Sequence, residues 1–296
     1  MKTSTIISLT VLLLLTNFAE GQLSRRALFI GNSYTYVNNL PQLTATVALS
    51  AGDTLHFDSN AIGGYTLQLH SNNATTFAKI AVGNWDDVVL QEQSQLPSFP
   101  DAQVQTDVYP YAHILDSIIN AQNPCAETMF YMTWGRKNGD SSNCASWPPV
   151  CTYDGMDSML HLRYMAMAQM NNALVSPVGA VWKYIRQNFP SIELYQADQS
   201  HPTLSGSYAA ACCFYAAIFR KSPLLITTDA GLPATDAAKI RTAANMVAFD
   251  SLLHWQIGLF DPVANFAAYA GPTDSVAFMN ASQYATTYNW NFGDGC

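Results

Sequence analysis

Charged residues are scarce in this sequence. Only 11% of its 296 residues are Asp, Glu, Lys or Arg, against about 25% in typical soluble domains. The charges present are mostly acidic, with 13 Lys and Arg against 21 Asp and Glu and a net charge of −8. No basic patch occurs, which argues against nucleic acid as a partner. Low charge together with 15 Tyr, 14 Phe and 6 Trp favours a secreted protein with an aromatic-rich surface or cleft.

Long hydrophobic runs are missing beyond the N-terminus. No later segment approaches the ~18 uninterrupted apolar residues of a membrane-spanning helix, so we predict none. The N-terminus has Lys2, the apolar stretch IISLTVLLLL (6–15) and the small-x-small sequence AEG (19–21). These features predict a signal peptide over 1–21, with cleavage before Gln22 and secretion of the mature chain.

The sequence also lacks a CxxC pair, which argues against a zinc-finger-like site. Its six cysteines are Cys125, Cys144, Cys151, Cys212, Cys213 and Cys296. An even number in an oxidising compartment indicates disulfides. We favour Cys144–Cys151, because both lie in one loop-like stretch, NCASWPPVC. Asn73 and Asn280 begin sequons and would accept glycans if exposed.

Strand and helix patterns alternate along the chain. The strand patterns are at 26–31, 54–64, 86–94 and 126–135, with a short extended segment near 175. The helical patterns are at 38–52, 66–83, 103–121, 155–174, 205–220 and 235–257, with a further helix before 190. This alternation predicts an α/β fold with a parallel sheet and helices on both faces. Without repeats or a Pro/Ser-rich linker, we expect one domain over 22–296, with an irregular extension after about 260.

A polar or glycine-rich patch follows each of the first four predicted strands. The patches contain Gly31, Asn32 and Ser33, then Gly63 and Gly64, then Gln91, Gln93 and Ser94, then Thr133, Trp134 and Arg136. Ligands bind beyond the carboxyl ends of parallel strands, so these patches should converge on one rim. A candidate site therefore lies at this edge of the sheet.

Three residues have the chemistry of a hydrolytic site. A serine hydroxyl needs a nearby base, a histidine suits that role, and an acid fixes the histidine tautomer. Ser33, His201 and Asp198 can fill these roles, and the three-residue spacing of Asp198 and His201 lets one turn deliver both. Ser33 could instead be a turn serine that caps the next helix, and His201 a structural histidine. Asp53 and His56 have the same spacing but precede a strand, so we interpret them as structural.

The motifs FIGNSYT, AIGGYTL and DQSHPTLSGSY, in this order, resemble the blocks of SGNH (GDSL-type) hydrolases. The resemblance covers about 27–225. It implies a three-layer α/β/α sandwich with a central parallel sheet, the flavodoxin-like SGNH hydrolase fold. It also implies Ser33 as nucleophile, Asp198 and His201 as its partners, and an oxyanion hole that includes the backbone N–H groups of Ser33 and Gly64.

The chain departs from the SGNH pattern in two places. Asn32 stands where the family motif has Asp. The third block, usually Gly-x-Asn-Asp, is replaced by LQEQS (90–94), which has no Asn. We predict that Gln91 supplies the missing amide donor, with Gln93 and Ser94 behind it. Trp134 and Arg136 either line the substrate cleft or have a structural role.

These observations predict a secreted serine esterase that hydrolyses carboxylic esters through an acyl-enzyme. The resemblance includes carbohydrate acetylesterases, so an acyl group on a glycan or a small molecule is the expected substrate. No metal or organic cofactor is required by this chemistry. The alternatives are an SGNH scaffold that binds a glycan or lipid with weak or no turnover, and an acyltransferase.

Overall fold

The structure is a computed structural model that describes residues 21–270, 275–285, 287 and 289–290. Its centre is a parallel sheet of five strands in the order β2-β1-β3-β4-β5. The strands are β1 (Ser24–Gly31), β2 (Thr54–Ala61), β3 (Asp87–Leu90), β4 (Glu127–Tyr131) and β5 (Leu174–Ser176). Residues 87–90 of β3 are buried throughout, as expected for a strand covered on both faces.

Ten α-helices accompany the strands in the described part of the chain. They are α1 (Ser33–Tyr36), α2 (Leu40–Ser50), α3 (Leu67–His70), α4 (Ala74–Ile80), α5 (Asp101–Asp107), α6 (Tyr109–Gln122), α7 (Tyr153–Asn171), α8 (Val178–Asn188), α9 (Leu204–Phe219) and α10 (Ala234–Val247). Helices α2, α8 and α9 pack together on one face of the sheet, and α4, α6 and α7 pack together on the other. The predicted three-layer α/β/α sandwich with a central parallel sheet is therefore confirmed.

The chain changes direction within the sheet between β1 and β3. From β1 it moves outward to β2, then returns across β1 to β3 and continues to β4 and β5. The carboxyl ends of β1 and β3 are thus the topological switch point, where open α/β sheets bind ligands. Ser33 follows β1 and Gln91 follows β3, so the fold itself brings the first and third sequence blocks together.

Several predicted elements differ in extent. The helix expected over 66–83 is divided into α3 and α4, because the Asn73 side chain accepts a hydrogen bond from Thr76 N at 2.9 Å and starts a new helix. The strand expected over 86–94 ends at Leu90, although Gln91 N still donates to the Ile30 carbonyl of β1 at 2.9 Å. The helix expected over 235–257 ends at Val247, and a 3-10 helix covers Phe249–Trp255.

The segment after about 260 was expected to be irregular, but it contains an antiparallel hairpin. Its strands are β6 (Phe266–Ala270) and β7 (Val276–Asn280). Most of its residues are exposed, including Phe266 and Phe278. Of the predicted signal peptide, only Gly21 lies within the described residues, and Cys296 lies outside them.

None of the helices that the structure describes is long and apolar enough to cross a membrane. The most apolar of them, α9, is buried along its whole length after Ser205. Close packing at its start explains Gly206, where a Cβ would lie 2.6 Å from the Leu194 carbonyl oxygen and 2.5 Å from the Trp182 ring. A helix that is apolar on all sides belongs in a core, and α9 forms the core layer on its face of the sheet.

Candidate active site

The first block forms a turn, here called the nucleophile turn (Gly31–Ser33), between β1 and α1. Asn32 caps α1, because its Oδ1 accepts a hydrogen bond from Tyr34 N at 3.2 Å and its carbonyl accepts one from Thr35 N at 2.9 Å. The alternative role considered for Ser33, that of a capping serine, therefore belongs to Asn32. The Ser33 hydroxyl remains available for a different partner.

That partner is His201. The Ser33 Oγ lies 2.9 Å from His201 Nε2, although the two residues are 168 positions apart in the chain. His201 Nδ1 hydrogen-bonds Asp198 Oδ2. A carboxylate only accepts, so Nδ1 carries the proton and Nε2 is left to accept the Ser33 hydroxyl proton. The structure thus brings the three residues predicted from the sequence into one hydrogen-bonded chain, Ser33–His201–Asp198.

One turn delivers the acid and the base, as their spacing predicted. The second oxygen of Asp198, Oδ1, accepts from the backbone N–H groups of Ser200 and His201, both at 3.0 Å. Burial raises the pKa of Asp198, but the hydrogen bonds from the His201 side chain and from these two N–H groups outweigh it and hold the pKa below its ordinary value. Asp198 therefore stays ionised and orients the imidazole.

Buried aromatic rings pack against the turn that contains Asp198 and His201. The Tyr34 ring stacks on Trp134 with ring centres 4.6 Å apart and meets the His201 ring edge to face at 5.5 Å. The Tyr34 hydroxyl lies 2.6 Å from Ser200 Oγ, and Trp134 Nε1 donates to the Ser200 carbonyl at 3.1 Å. Trp134 also stacks on Trp182 at 3.7 Å.

These contacts correct the expectation that Trp134 lines the substrate cleft. Its side chain has no exposed surface, so it cannot touch a substrate and serves instead to hold the loop of the base. Arg136 keeps 29% of its side chain exposed and lies 3.6 Å from Asp140 Oδ1. This contact ties the long loop after β4 together, and a substrate contact of Arg136 stays a prediction.

The second block forms the turn Ile62–Tyr65, here called the oxyanion turn, beside the nucleophile turn. Asn32 Nδ2 donates to the Tyr65 carbonyl at 2.9 Å, and Ile62 N donates to the Gly31 carbonyl at 3.1 Å. Gly64 has a φ of +71°, a conformation that glycine adopts without strain. Neither Ser33 N nor Gly64 N donates to any acceptor among residues that the structure describes, so both can serve an external oxyanion.

Gln91 does not supply the oxyanion donor that was predicted from it. Gln91 is completely buried, and its Oε1 accepts from Asn32 N at 2.9 Å and from the Thr35 hydroxyl at 3.0 Å. Its Nε2 donates to the Glu92 carbonyl. All these contacts are within the protein, so Gln91 supports the nucleophile turn rather than pointing into the oxyanion hole. Gln93 is partly exposed, and its Nε2 has one contact, at 3.2 Å to Gln95 Oε1.

His70, a buried histidine for which the sequence predicted no role, also holds the nucleophile turn. His70 Nε2 lies 2.9 Å from the Gly31 carbonyl, and since a carbonyl only accepts, Nε2 carries the proton. His70 Nδ1 then accepts from the Thr76 hydroxyl at 2.9 Å. Burial lowers the pKa of His70 and outweighs the opposing effect of its bond to Gly31, which keeps the ring neutral.

Of the disulfides that the even cysteine count indicated, the described residues contain only the favoured one, and Cys125 is a free, exposed thiol. Cys144 and Cys151 form a disulfide with their Cα atoms 4.6 Å apart. Cys212 and Cys213 are buried and unbonded, and burial raises the pKa of the Cys213 thiol to about 12. Asp53, which has the same spacing to His56 as Asp198 has to His201, is buried and forms an ion pair with Lys221 Nζ at 2.9 Å. This contact confirms the structural interpretation of Asp53.

Metal-ligating side chains do not gather in this site. Over the described ranges, no group of three or more His, Cys, Asp or Glu side chains is placed to hold a metal ion.

Solved structures similar to this chain include a candidate SGNH hydrolase and a DUF4886 family protein. A candidate SGNH hydrolase from Slackia heliotrinireducens is 27% identical over 64% of this chain and 97% of its own, with a TM-score of 0.52. A DUF4886 family protein from Bacteroides uniformis is 18% identical over 78% of this chain and 95% of its own, with a TM-score of 0.62. No protein-family model and no curated protein matches the sequence.

The chain therefore has the SGNH hydrolase fold, and the predicted resemblance is confirmed at the level of the fold. Among these neighbours, the Slackia protein also supports hydrolase activity in general terms.

Proposed function

We propose that the protein is a serine hydrolase of carboxylic esters. The observation that carries this proposal is the distance of 2.9 Å between Ser33 Oγ and His201 Nε2, with His201 Nδ1 bound to Asp198. A serine within hydrogen-bond reach of an oriented base is the arrangement that activates a hydroxyl for attack. A merely structural serine would not need a histidine oriented in this way.

The reaction follows from this geometry. His201 Nε2 takes the Ser33 proton as Oγ attacks the ester carbonyl carbon. The N–H groups of Ser33 and Gly64 stabilise the oxyanion, and one such donor contributes roughly 10²–10³ in rate. His201 then protonates the leaving alcohol, which departs and leaves an acyl-Ser33. Water attacks the acyl carbonyl with His201 again as base, the carboxylic acid leaves, and Ser33 regains its proton.

The proposed substrate is a small acyl group, such as acetyl, on a carbohydrate. Tyr36 supports this idea, because its ring is 50% exposed, three residues after the nucleophile. Its hydroxyl lies 3.4 Å from the position that a Cβ on Gly63 would occupy, so it borders the oxyanion turn. An exposed aromatic ring beside the nucleophile offers a face on which a sugar ring can pack.

The proposed esterase is also a secreted protein. The features of residues 1–21 and the Cys144–Cys151 disulfide both fit an oxidising compartment. Asn280, at the end of the exposed strand β7, is the sequon better placed for a glycan. Asn73 is half-buried and its side-chain oxygen caps α4.

The test is turnover of p-nitrophenyl acetate and longer acyl esters by the secreted chain, beside Ser33→Ala and the exposed-surface control Ser146→Ala. We expect Ser33→Ala alone to abolish turnover and labelling by a fluorophosphonate probe. Turnover that survives in Ser33→Ala would overturn the assignment of the nucleophile. A folded wild-type protein that neither labels nor turns over these esters would favour a binding function. Transfer of the acyl group to an added alcohol in preference to water would identify an acyltransferase.

A further inference from the structure

The third block contains a buried carboxyl group that the proposed mechanism does not use. Glu92 directly follows Gln91, and its side chain has no exposed surface. Burial raises the pKa of Glu92 to about 8, and the opposing effects come only from hydrogen bonds with the N–H groups of Gln93 and Leu67. Burying a carboxyl group without a cation is costly, so its presence at this position calls for a physical explanation.

The acceptor atoms of Glu92 face the segment that follows the oxyanion turn. Both carboxyl oxygens lie 3.2 Å from Leu67 N, the first residue of α3, and Oε1 lies 2.5 Å from Gln93 N. Leu67 is three residues after Gly64, whose N–H is an oxyanion donor in the proposed mechanism. Glu92 therefore connects the end of β3 to the start of α3, two residues after the oxyanion turn.

Gln91 makes the corresponding connection to the nucleophile turn, through Asn32 N and the Thr35 hydroxyl. The contact is close: a Cβ on Gly31 would lie 2.6 Å from Gln91 Oε1, which explains the glycine there. Two consecutive buried side chains thus fix the two turns whose N–H groups must converge on one oxygen atom. The distance between these two turns sets the shape of the oxyanion hole.

We propose that Glu92 is a positioning residue that fixes the oxyanion turn relative to the nucleophile turn, in a block whose sequence has lost the usual amide donor. This inference rests on the proposed ester hydrolysis and adds a role that acts through Leu67 and not on the substrate. With two backbone donors in place of three, the position of each matters more. A displacement of about 1 Å in such a site can cost on the order of 10² in rate.

The experiment compares Glu92→Leu, which removes both acceptors, with Glu92→Gln, which keeps one carbonyl acceptor. The matched control is Asp87→Asn, which removes a second fully buried carboxyl group from the opposite end of the same strand. For p-nitrophenyl acetate, we expect Glu92→Leu to lower kcat about 30- to 100-fold with little change in KM, and Glu92→Gln to lose less than about tenfold. Asp87→Asn should keep kcat within about threefold of the wild type.

A second readout does not depend on activity. Amide hydrogen exchange over residues 62–67 should accelerate in Glu92→Leu, partly recover in Glu92→Gln and stay unchanged in Asp87→Asn. Unchanged exchange in Glu92→Leu, or a rise in KM at constant kcat, would overturn the proposal. If the wild type shows no Ser33-dependent turnover, the proposed function fails, and faster exchange at 62–67 in Glu92→Leu still supports Glu92 as the anchor of this turn.

Discussion

Trp134 Nε1 donates a hydrogen bond to the Ser200 carbonyl, one residue before the base His201. The indole ring lies between Tyr34 and Trp182, at 4.6 and 3.7 Å between ring centres. The position of the base therefore depends on a side chain that no substrate can reach. This arrangement separates two functions of the site: chemistry at the surface and alignment of the loop from the core.

We predict that Trp134→Ala lowers kcat through the loop of His201 and leaves KM nearly unchanged. Removal of a fully buried Trp should also cost about 3–5 kcal/mol in the free energy of unfolding. Trp134→Phe should keep most of that stability while losing the bond to Ser200. Steady-state kinetics and urea unfolding measure both effects. A raised KM with an unaltered kcat would instead show that Trp134 binds substrate.

Asp198→Asn tests the acid of the proposed triad. An Asn at this position cannot stabilise the imidazolium and can favour the wrong tautomer of His201, so kcat should fall by about 10³–10⁴ with a small change in KM. The stability cost should be small, because nearly half of the Asp198 side chain is exposed. Kinetics at saturating ester provide the measurement, with the exposed Asp154→Asn as control. A loss of less than tenfold would show that another group orients the base.

The sequence predicted the parts of this molecule that depend on local pattern. Apolar runs followed by turns identified the strands β1 to β4, and the spacing of Asp198 and His201 anticipated their shared turn. The disulfide was predicted because Cys144 and Cys151 are close in the sequence. In each case the signal lies within a short stretch of chain.

Contacts between distant segments could not be read in the same way. Gln91 was predicted to face the oxyanion, but its partners, Asn32 and Thr35, are 59 and 56 residues away in the chain. The sequence shows an amide at the end of a strand and not the direction in which it points. The sequence left two roles open for Trp134 for the same reason, because its burial depends on Tyr34 and Trp182 from two other segments. A charged residue two positions after the end of a buried strand, Glu92, was the signal that could have drawn attention to the third block.

Asn32→Asp would restore the residue of the usual family motif, yet we predict that it is harmful here. Asn32 Nδ2 donates to the Tyr65 carbonyl at 2.9 Å, and a carboxylate oxygen in its place would repel that carbonyl. It would also add a negative charge next to the oxyanion donors. We expect kcat to fall about tenfold or more and the free energy of unfolding to fall by about 1–3 kcal/mol. The exposed variant Asn188→Asp is the control, and wild-type kinetics in Asn32→Asp would contradict this role of the amide.

The buried carboxyl of Glu92 gives a prediction about stability and pH. Its pKa is about 8 in the folded protein against 4.5 for an unperturbed glutamate, so between these values the folded state holds a proton that the unfolded state has lost. The unfolded state therefore binds fewer protons, and the contribution of Glu92 to the free energy of unfolding falls as the pH rises from about 5 to about 8. Below about pH 4 and above about pH 9 this contribution no longer changes.

Glu92→Gln removes this titration. The difference in unfolding free energy between the wild type and Glu92→Gln should therefore shift steadily in favour of the variant across pH 5–8, even if the variant is the less stable protein in acid. Urea unfolding at several pH values measures it, with Asp154→Asn as the exposed control that should show no such trend. A difference that stays constant from pH 5 to 8 would mean that Glu92 is ionised in the folded protein, and that the N–H groups of Leu67 and Gln93 compensate for its burial.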